Sequence, residues 1–164
     1  MAAAGCPLVL MHSRGELATM QSEIRFKDLL GEVRAELAAA VQRAAACGIG
    51  EERIILDPGI GFGKTAAQNL ALIGRLDDLT ALGRPLLVGA SRKSFLGKVI
   101  ERSGGPTPPP AGRLAGSLAA AAWAAERGAA LLRVHDVAET VQFLAVWHAI
   151  SAISSAFASE EAAG

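Results

Sequence analysis

Four short apolar runs recur along the chain, each ending in a polar or glycine-rich cluster. They are Pro7-Leu8-Val9-Leu10-Met11-His12, Arg53-Ile54-Ile55-Leu56-Asp57, Pro85-Leu86-Leu87-Val88-Gly89 and Leu131-Leu132-Arg133-Val134-His135. Continuous rather than alternating apolar runs of this length are the pattern of parallel strands buried on both faces. Stretches of helical period lie between them. Residues 23–46 place Ile24, Phe26, Leu29, Leu30, Val33, Leu37 and Val41 at steps near three and four, with Gly48 as the stop. Residues 66–82, 113–127 and 137–157 behave similarly, and Asp136 with Glu139 offers a capping box for the last. Strand then helix, four times over, implies an α/β fold of βα units joined by right-handed crossovers in one parallel sheet. The stretch SGGPTPPPAG at 103–112 reads as an exposed loop, because its prolines have no amide to donate.

Composition narrows the partners. A chain of 164 residues is enough for one ordinary domain, taken as 1–157 with a disordered tail at 158–164. The 16 Lys and Arg residues balance the 16 Asp and Glu residues, so nothing favours nucleic acid or an anionic membrane surface. Tyr is absent and aromatic content is low, which argues against the stacking platforms of carbohydrate or single-strand nucleic-acid binders. Cys6 and Cys47 form no CxxC pair, so a reducing cytoplasmic compartment is expected, with Cys47 packing as a small apolar residue. The start MAAAGCPLVLMH lacks the basic region of a signal peptide, and no run reaches the roughly 18 uninterrupted apolar residues of a membrane span. A soluble chain is expected.

The string LDPGIGFGKT at 56–65 looks at first like a phosphate-binding loop. A P-loop requires four residues between its glycine and the Gly-Lys pair, and here Gly59 leaves too few before Gly63 while Pro58 holds the position a glycine should have. The dinucleotide fingerprint fails for a similar reason of spacing. Asp57 also sets a negative charge where a phosphate would arrive, so a ligand that donates hydrogen bonds fits the loop better.

Parallel α/β sheets gather their ligand residues at the C-terminal strand ends. That rim collects His12, Arg14, Asp57, Ser91-Arg92-Lys93, Arg133, His135 and Asp136. Asp57 could be a mere turn initiator before Pro58, but the glycines after it keep side chains away and leave its carboxylate open to a ligand. Lys93 could be a solvated lysine, and Ser91 an N-cap of the helix that follows, with free amides beside it. Arg92 suits a structural ion pair. Arg133 stands inside an apolar run where a solvent-facing arginine is out of place, and His135 shares its face, a cationic pair suited to a phosphate group. His12 reads as a satisfied histidine at the core edge and His148 as a packed one; three scattered histidines make no metal cluster. Met11 and Phe62 could be core residues or the walls of a flat aromatic ligand.

LVLMHSRG, IILDPGIGFGKT, PLLVGASRKSFLG, GRLAGSLAAAAWA and LLRVHDVAET occur in the order found in bacterial dihydropteroate synthases. From Pro7 to about Ile150 the chain resembles the C-terminal half of that family. The resemblance implies strands 5 to 8 of a pterin-binding TIM (β/α)8 barrel. Such enzymes condense para-aminobenzoate with 6-hydroxymethyl-7,8-dihydropterin pyrophosphate to give 7,8-dihydropteroate and pyrophosphate with the help of Mg2+; they are sulfonamide targets, expected as homodimers at full length. Carried over by motif, Asp57 reads the pterin edge and Lys93 its acceptors. Met11, Phe62 and Gly89 line the ring and aryl pocket, Ser91 lies near the aryl carboxylate, Arg133 lies against the pterin, and His135 with Arg133 faces the pyrophosphate. Catalytic work falls to Lys93, Arg133 and His135. No residue here is implied as a metal ligand, since the metal-associated asparagine belongs to the first strand of the family's barrel. Ser13 and Gln68 depart from the family's usual Met and His. The alternatives are a methyltetrahydrofolate-binding methyltransferase domain, which shares the barrel and a pterin-reading acid, and a non-catalytic remnant of the pterin site. Four strands where a barrel needs eight imply a truncated chain that is inactive alone and self-associates to cover its open edges.

Overall fold

The computed structural model describes residues 2–15 and 24–163, with side chains through Ser154. One parallel sheet carries β1 (Leu8–Met11), β2 (Ile54–Asp57), β3 (Leu86–Val88) and β4 (Ala129–Leu132) in the spatial order β1-β2-β3-β4. The α-helices are α1 (Leu29–Ala46), α2 (Ala66–Gly74), α3 (Asp77–Thr80), α4 (Ser94–Arg102), α5 (Leu114–Glu126) and α6 (Val137–Ala163). Because spatial order equals chain order, the right-handed crossovers all travel in one direction and set the helices on one face. The sheet is therefore an arc of a barrel and not a doubly wound layer, as the half-barrel reading requires.

That one-sided covering decides which strand residues are buried. In register, Leu8 faces Ile54, Leu10 faces Leu56, and Leu56 faces Leu86. This row meets Val33 and Leu37 of α1 and Leu72, Leu76 and Leu79 beyond β2 in a core where those five, Ile54, Leu56 and Leu86 are at most 1% exposed. Each such burial contributes about 1.5–3 kcal/mol. The alternate residues turn to the concave face, where Val9 is 41%, Met11 39% and Leu131 39% exposed. The expectation of strands buried on both faces thus fails at β1 and β4, since helices cover one side alone.

Several boundaries also differ from the sequence pattern. α1 begins at Leu29, where Asp28 accepts the Gly31 amide at 3.1 Å, so Ile24 and Phe26 precede the helix; Glu23 lies outside the described residues. Gly48, at φ +78°, ends it as expected, donating to Ala45 O at 2.9 Å while Ile49 swings into the core. The 66–82 stretch breaks into α2 and α3 at Arg75-Leu76. The break follows Gly74, a weak helix former, and lets Leu76 and Leu79 both reach full burial. A capping box opens α2, Thr65 with Gln68, whereas the Asp136 carboxylate is taken by Arg92 and its carbonyl receives the Thr140 N–H and hydroxyl at 3.0 and 2.7 Å. α6 continues to Ala163, through 158–163 where a tail is expected. By length and composition alone its Val137–Ser154 stretch is long and apolar enough to cross a membrane. Cys6 and Cys47 are free thiols; Cys47 caps α1 in the open instead of packing, and His148 is likewise exposed because α6 meets the body along a different stripe.

Candidate functional site

The rim at the strand ends is organised by the loop that follows β2. Gly59, Gly61 and Gly63 have φ of +69°, +84° and +60°, a region that costs other residues about 1–2 kcal/mol. Space demands glycine as well. A Cβ on Gly59 would stand 1.8 Å from the His12 carbonyl oxygen, and one on Gly63 2.6 Å from that of Arg14. The loop thus lies flat against the end of β1, and its backbone, not its side chains, lines the floor.

Asp57 ends β2 beside Met11, its register partner on β1. Its side chain is 1% exposed, yet both oxygens are partnered: Oδ1 accepts the Gly59 amide at 2.7 Å and Oδ2 accepts Nη2 of Arg133 at 3.0 Å. Lys93 approaches the same loop from beyond β3, donating to the Ile60 carbonyl with its ammonium 4.4 Å from the centre of the Phe62 ring. Burial lowers its pKa to about 8; the negative charge of Asp57 opposes that shift and the positive charge of Arg133 adds to it. The acid and both cations therefore act on one small region of the rim. Arg133 stands just past β4, with its amide on Val88 O at 2.9 Å, because β3 ends at Val88 and offers no longer ladder. Its guanidinium comes within 3.0 Å of where a Gly89 Cβ would lie, so only glycine leaves that approach open.

Ser91, Arg92 and Lys93 form the turn into α4. Arg92 has φ +58°, a strained conformation for an arginine. Ser117 Oγ accepts its amide at 3.0 Å, Arg113 donates to its carbonyl at 2.9 Å, and Asp136 pairs with its guanidinium at 3.1 Å. This is the structural ion pair the sequence suggests, and it aims Lys93 at the loop. Ser91 is not the N-cap; α4 starts at Ser94 with Lys93 as cap. The Ser91 hydroxyl instead sits 2.9 Å from His135 Nδ1 and accepts the His135 amide at 3.2 Å. The expected Arg133–His135 cationic pair is thereby divided, Arg133 going to Asp57 and His135 to Ser91.

Beneath the loop is a second polar group that sequence reasoning did not assign. Lys64, 2% exposed, donates to the Gly59 and Phe62 carbonyls at 3.1 and 3.0 Å and lies 2.9 Å from His12 Nδ1. Burial lowers its pKa to about 8, against the pull of Asp57 and Glu36. His12 is buried as expected; burial first and then Lys64 push it down to about 4, so it is neutral at pH 7. Its Nε2 lies 3.0 Å from Glu36 without a hydrogen bond aligned to it, and Glu36 accepts from Arg14 Nε at 3.0 Å. Burial favours a protonated Glu36, but Arg14 and His12 outweigh it and the carboxyl titrates low. Asn69 accepts the Gly61 amide at 2.6 Å and returns hydrogen bonds to Lys64 O and Thr65 O. Asn69 had a readable signal: with Leu72 and Ile73 it occupies the buried stripe of α2, where a polar side chain must have partners. Among the described residues no group of three His, Cys, Asp or Glu side chains converges on a metal position.

Residues 1–135 match the family described as pterin binding enzyme. The dihydropteroate synthase of Synechocystis sp. is 46% identical over 144 residues, 88% of this chain and 48% of that protein. The Yersinia pestis dihydropteroate synthase, solved with a sulfonamide drug complex, superposes with a TM-score of 0.85 at 38% identity, over 93% of this chain and 53% of that one. The Xanthomonas albilineans dihydropteroate synthase in complex with 7,8-dihydropteroate gives 0.81 at 42% identity, over 92% and 54%. The chain spans about half the length of the curated relatives it matches.

Proposed function

The chain belongs to the pterin-binding enzymes, and we propose that it carries the C-terminal half of a dihydropteroate synthase site, which reads a pterin and helps join it to para-aminobenzoate. The observation that carries the reading is the buried Asp57 carboxylate at a glycine-floored rim, with Lys93 and Arg133 beside it. A pterin edge presents an exocyclic amino group and a ring N–H, two donors that one ionised carboxylate accepts together. Lys93 exchanges the Ile60 carbonyl for acceptors on the ring. Met11, Phe62 and Gly89 border the ring and aryl positions, and Ser91 lies toward the aryl carboxylate. Each charge-assisted contact contributes about 1.5–3 kcal/mol.

When pterin donors reach Asp57, Arg133 is exchanged off Oδ2 and stays against the ring face, where with His135 it meets the pyrophosphate. The C–O bond breaks with its electron pair leaving on pyrophosphate. The arylamine lone pair then closes the C–N bond to the pterin methylene, and the amine loses a proton. Positioning and stabilisation of leaving-group charge are what such a reaction asks of Lys93, Arg133 and His135. The family's Mg2+ finds no cage among the described residues, so no step is assigned to it. A soluble, cytoplasmic setting is part of the proposal, with the homodimer proposed as the state of full-length members of the family. Relatives named as synthases favour this reading over a methyltetrahydrofolate-binding domain.

Titration of the chain with 6-hydroxymethylpterin, followed by the ligand's own fluorescence, tests the assignment. Asp57→Asn is expected to weaken binding about a hundredfold, since it removes the charge and one acceptor together. Equal affinity in the two proteins would overturn it.

A further inference from the structure

The lysine of Gly63-Lys64-Thr65 belongs to a phosphate-loop pattern that fails on spacing, and the proposed chemistry makes no use of it. It is nonetheless fully engaged: its three ammonium donors meet three acceptors, two loop carbonyls and the ring of His12. With the lysine charged, Nδ1 of His12 must accept, so the ring proton lies on Nε2, which is 3.0 Å from Glu36 but not aligned for a hydrogen bond to it. Glu36 is held by Arg14. A chain of polar contacts thus ties the loop through β1 to α1.

Burying an ammonium costs several kcal/mol, and an apolar side chain of the same volume would fill the space without that cost. What the charge adds is a fixed direction for two peptides. The Gly59 N–H holds Asp57 Oδ1, while its carbonyl accepts from both Lys64 and the Phe62 amide at 3.1 Å. The Phe62 carbonyl returns to the same ammonium, and the Phe62 ring stands under Lys93. Asp57 and Phe62, which would meet the edge and the face of a heterocycle, are therefore referenced to one buried atom. Lys93 grips the loop from the opposite side, at Ile60 O, and gives up that grip when it turns to a ligand.

We propose that Lys64 is a positioning residue for the pterin site, holding the Gly59 and Phe62 peptides from beneath so that Asp57 and Phe62 keep their spacing when Lys93 moves from loop to ligand. The inference rests on the pterin reading. Its test compares the full 164-residue chain with Lys64→Met, Lys64→Gln and the exposed control Lys98→Met, each titrated with 6-hydroxymethylpterin at pH 7 and well below its melting midpoint. Lys64→Met is expected to bind about tenfold more weakly, Lys64→Gln to fall between because its amide keeps one carbonyl bond, and Lys98→Met to match the unsubstituted chain. A lysine that merely stabilises the fold would lower the melting midpoint and leave the affinity of folded chains unchanged; Lys64→Met within about twofold of the parent overturns the proposal. Should Lys64→Met not fold, the Lys64→Gln comparison decides by the same criterion. If the parent itself fails to bind the pterin, the proposed function falls, and amide hydrogen exchange at Gly59 and Phe62 judges the clamp: faster exchange in the variant supports it, and unchanged exchange sinks it.

Discussion

The loop after β2 and the outer side of α6 are built by opposite rules. At the loop, buried polar atoms answer one another: Asp57 with Gly59 and Arg133, Lys64 with two carbonyls and His12, Asn69 with Gly61. Along α6, Val137, Val141, Val146, Ile150 and Ile153 are 57–64% exposed, and an open groove of about 600 Å3 runs between it and α5 past Leu114, Leu118 and Phe143. The first region has these contacts in place within the chain itself, with His12 Nε2 left as a buried nitrogen without a hydrogen bond. The second is apolar surface with none of the described residues across it, beside the edge of β4 that no described strand pairs. The rim proposed to read a ligand therefore depends on contacts internal to these βα units, while the barrel around it does not close within them.

The sharpest way to break that contrast is to disturb the loop where it has no slack. Gly59→Ala places a methyl carbon 1.8 Å from the His12 carbonyl at a left-handed φ. Overlap and strain together are expected to cost about 3–5 kcal/mol, read as a drop in urea midpoint. A loss below about 1 kcal/mol would mean the loop yields easily and its order is not intrinsic.

Acid should reach the same region next. His12 falls from its ordinary 6.5 to about 4 in the folded chain, so between those values the unfolded chain binds the extra proton and stability drops as pH falls from about 6.5 toward 4. Glu36, titrating low, adds its own loss at still lower pH. The His12 contribution is on the order of 2 kcal/mol, and His12→Gln should flatten that limb in denaturant melts at pH 7 and 4.5. An unchanged slope would place the acid sensitivity elsewhere. Smaller again is Lys93→Met, expected to weaken pterin affinity about tenfold with no loss of folding stability, because it removes a partly buried charge.

How far the sequence carries these distinctions follows from the kind of signal each one leaves. Three strand positions are legible because continuous apolar runs ending in His12, Asp57 and Gly89 declare a parallel sheet, whereas the 131–135 run overshoots β4, which is Ala129–Leu132 and starts on two alanines that carry little strand signal. The uncovered concave face is not legible, since Val9 and Met11 look the same in sequence whether or not a second layer lies over them. The helix break at Arg75 leaves no mark in the sequence because α2 and α3 keep one apolar period across it, and only packing of Leu76 and Leu79 reveals the turn. Arg133 looks out of place in an apolar run only if both faces are covered; it stands past β4 with its side chain 54% exposed, and its partner, Asp57, lies 76 positions away and leaves no local trace. The Lys64–His12 contact, 52 positions apart, is invisible for the same reason.

The gentlest substitution probes the other region. Val137→Lys with Val141→Lys changes two side chains that are 60% and 64% exposed beside the β4 edge. Lysine is at least as good a helix former as valine, so the folding midpoint should move by no more than about 0.5 kcal/mol. Association should respond instead. Size-exclusion chromatography with light scattering is expected to find the parent chain in larger species and the double variant shifted toward monomer, because two charges now border the unpaired strand edge. A parent that stays monomeric would show that α6 and β4 tolerate water, and the difference between the two regions would then be one of ligand chemistry and not of missing structure. If instead both proteins associate equally, the contact lies elsewhere, with the exposed Val9 and Met11 of the concave face as the next positions to charge.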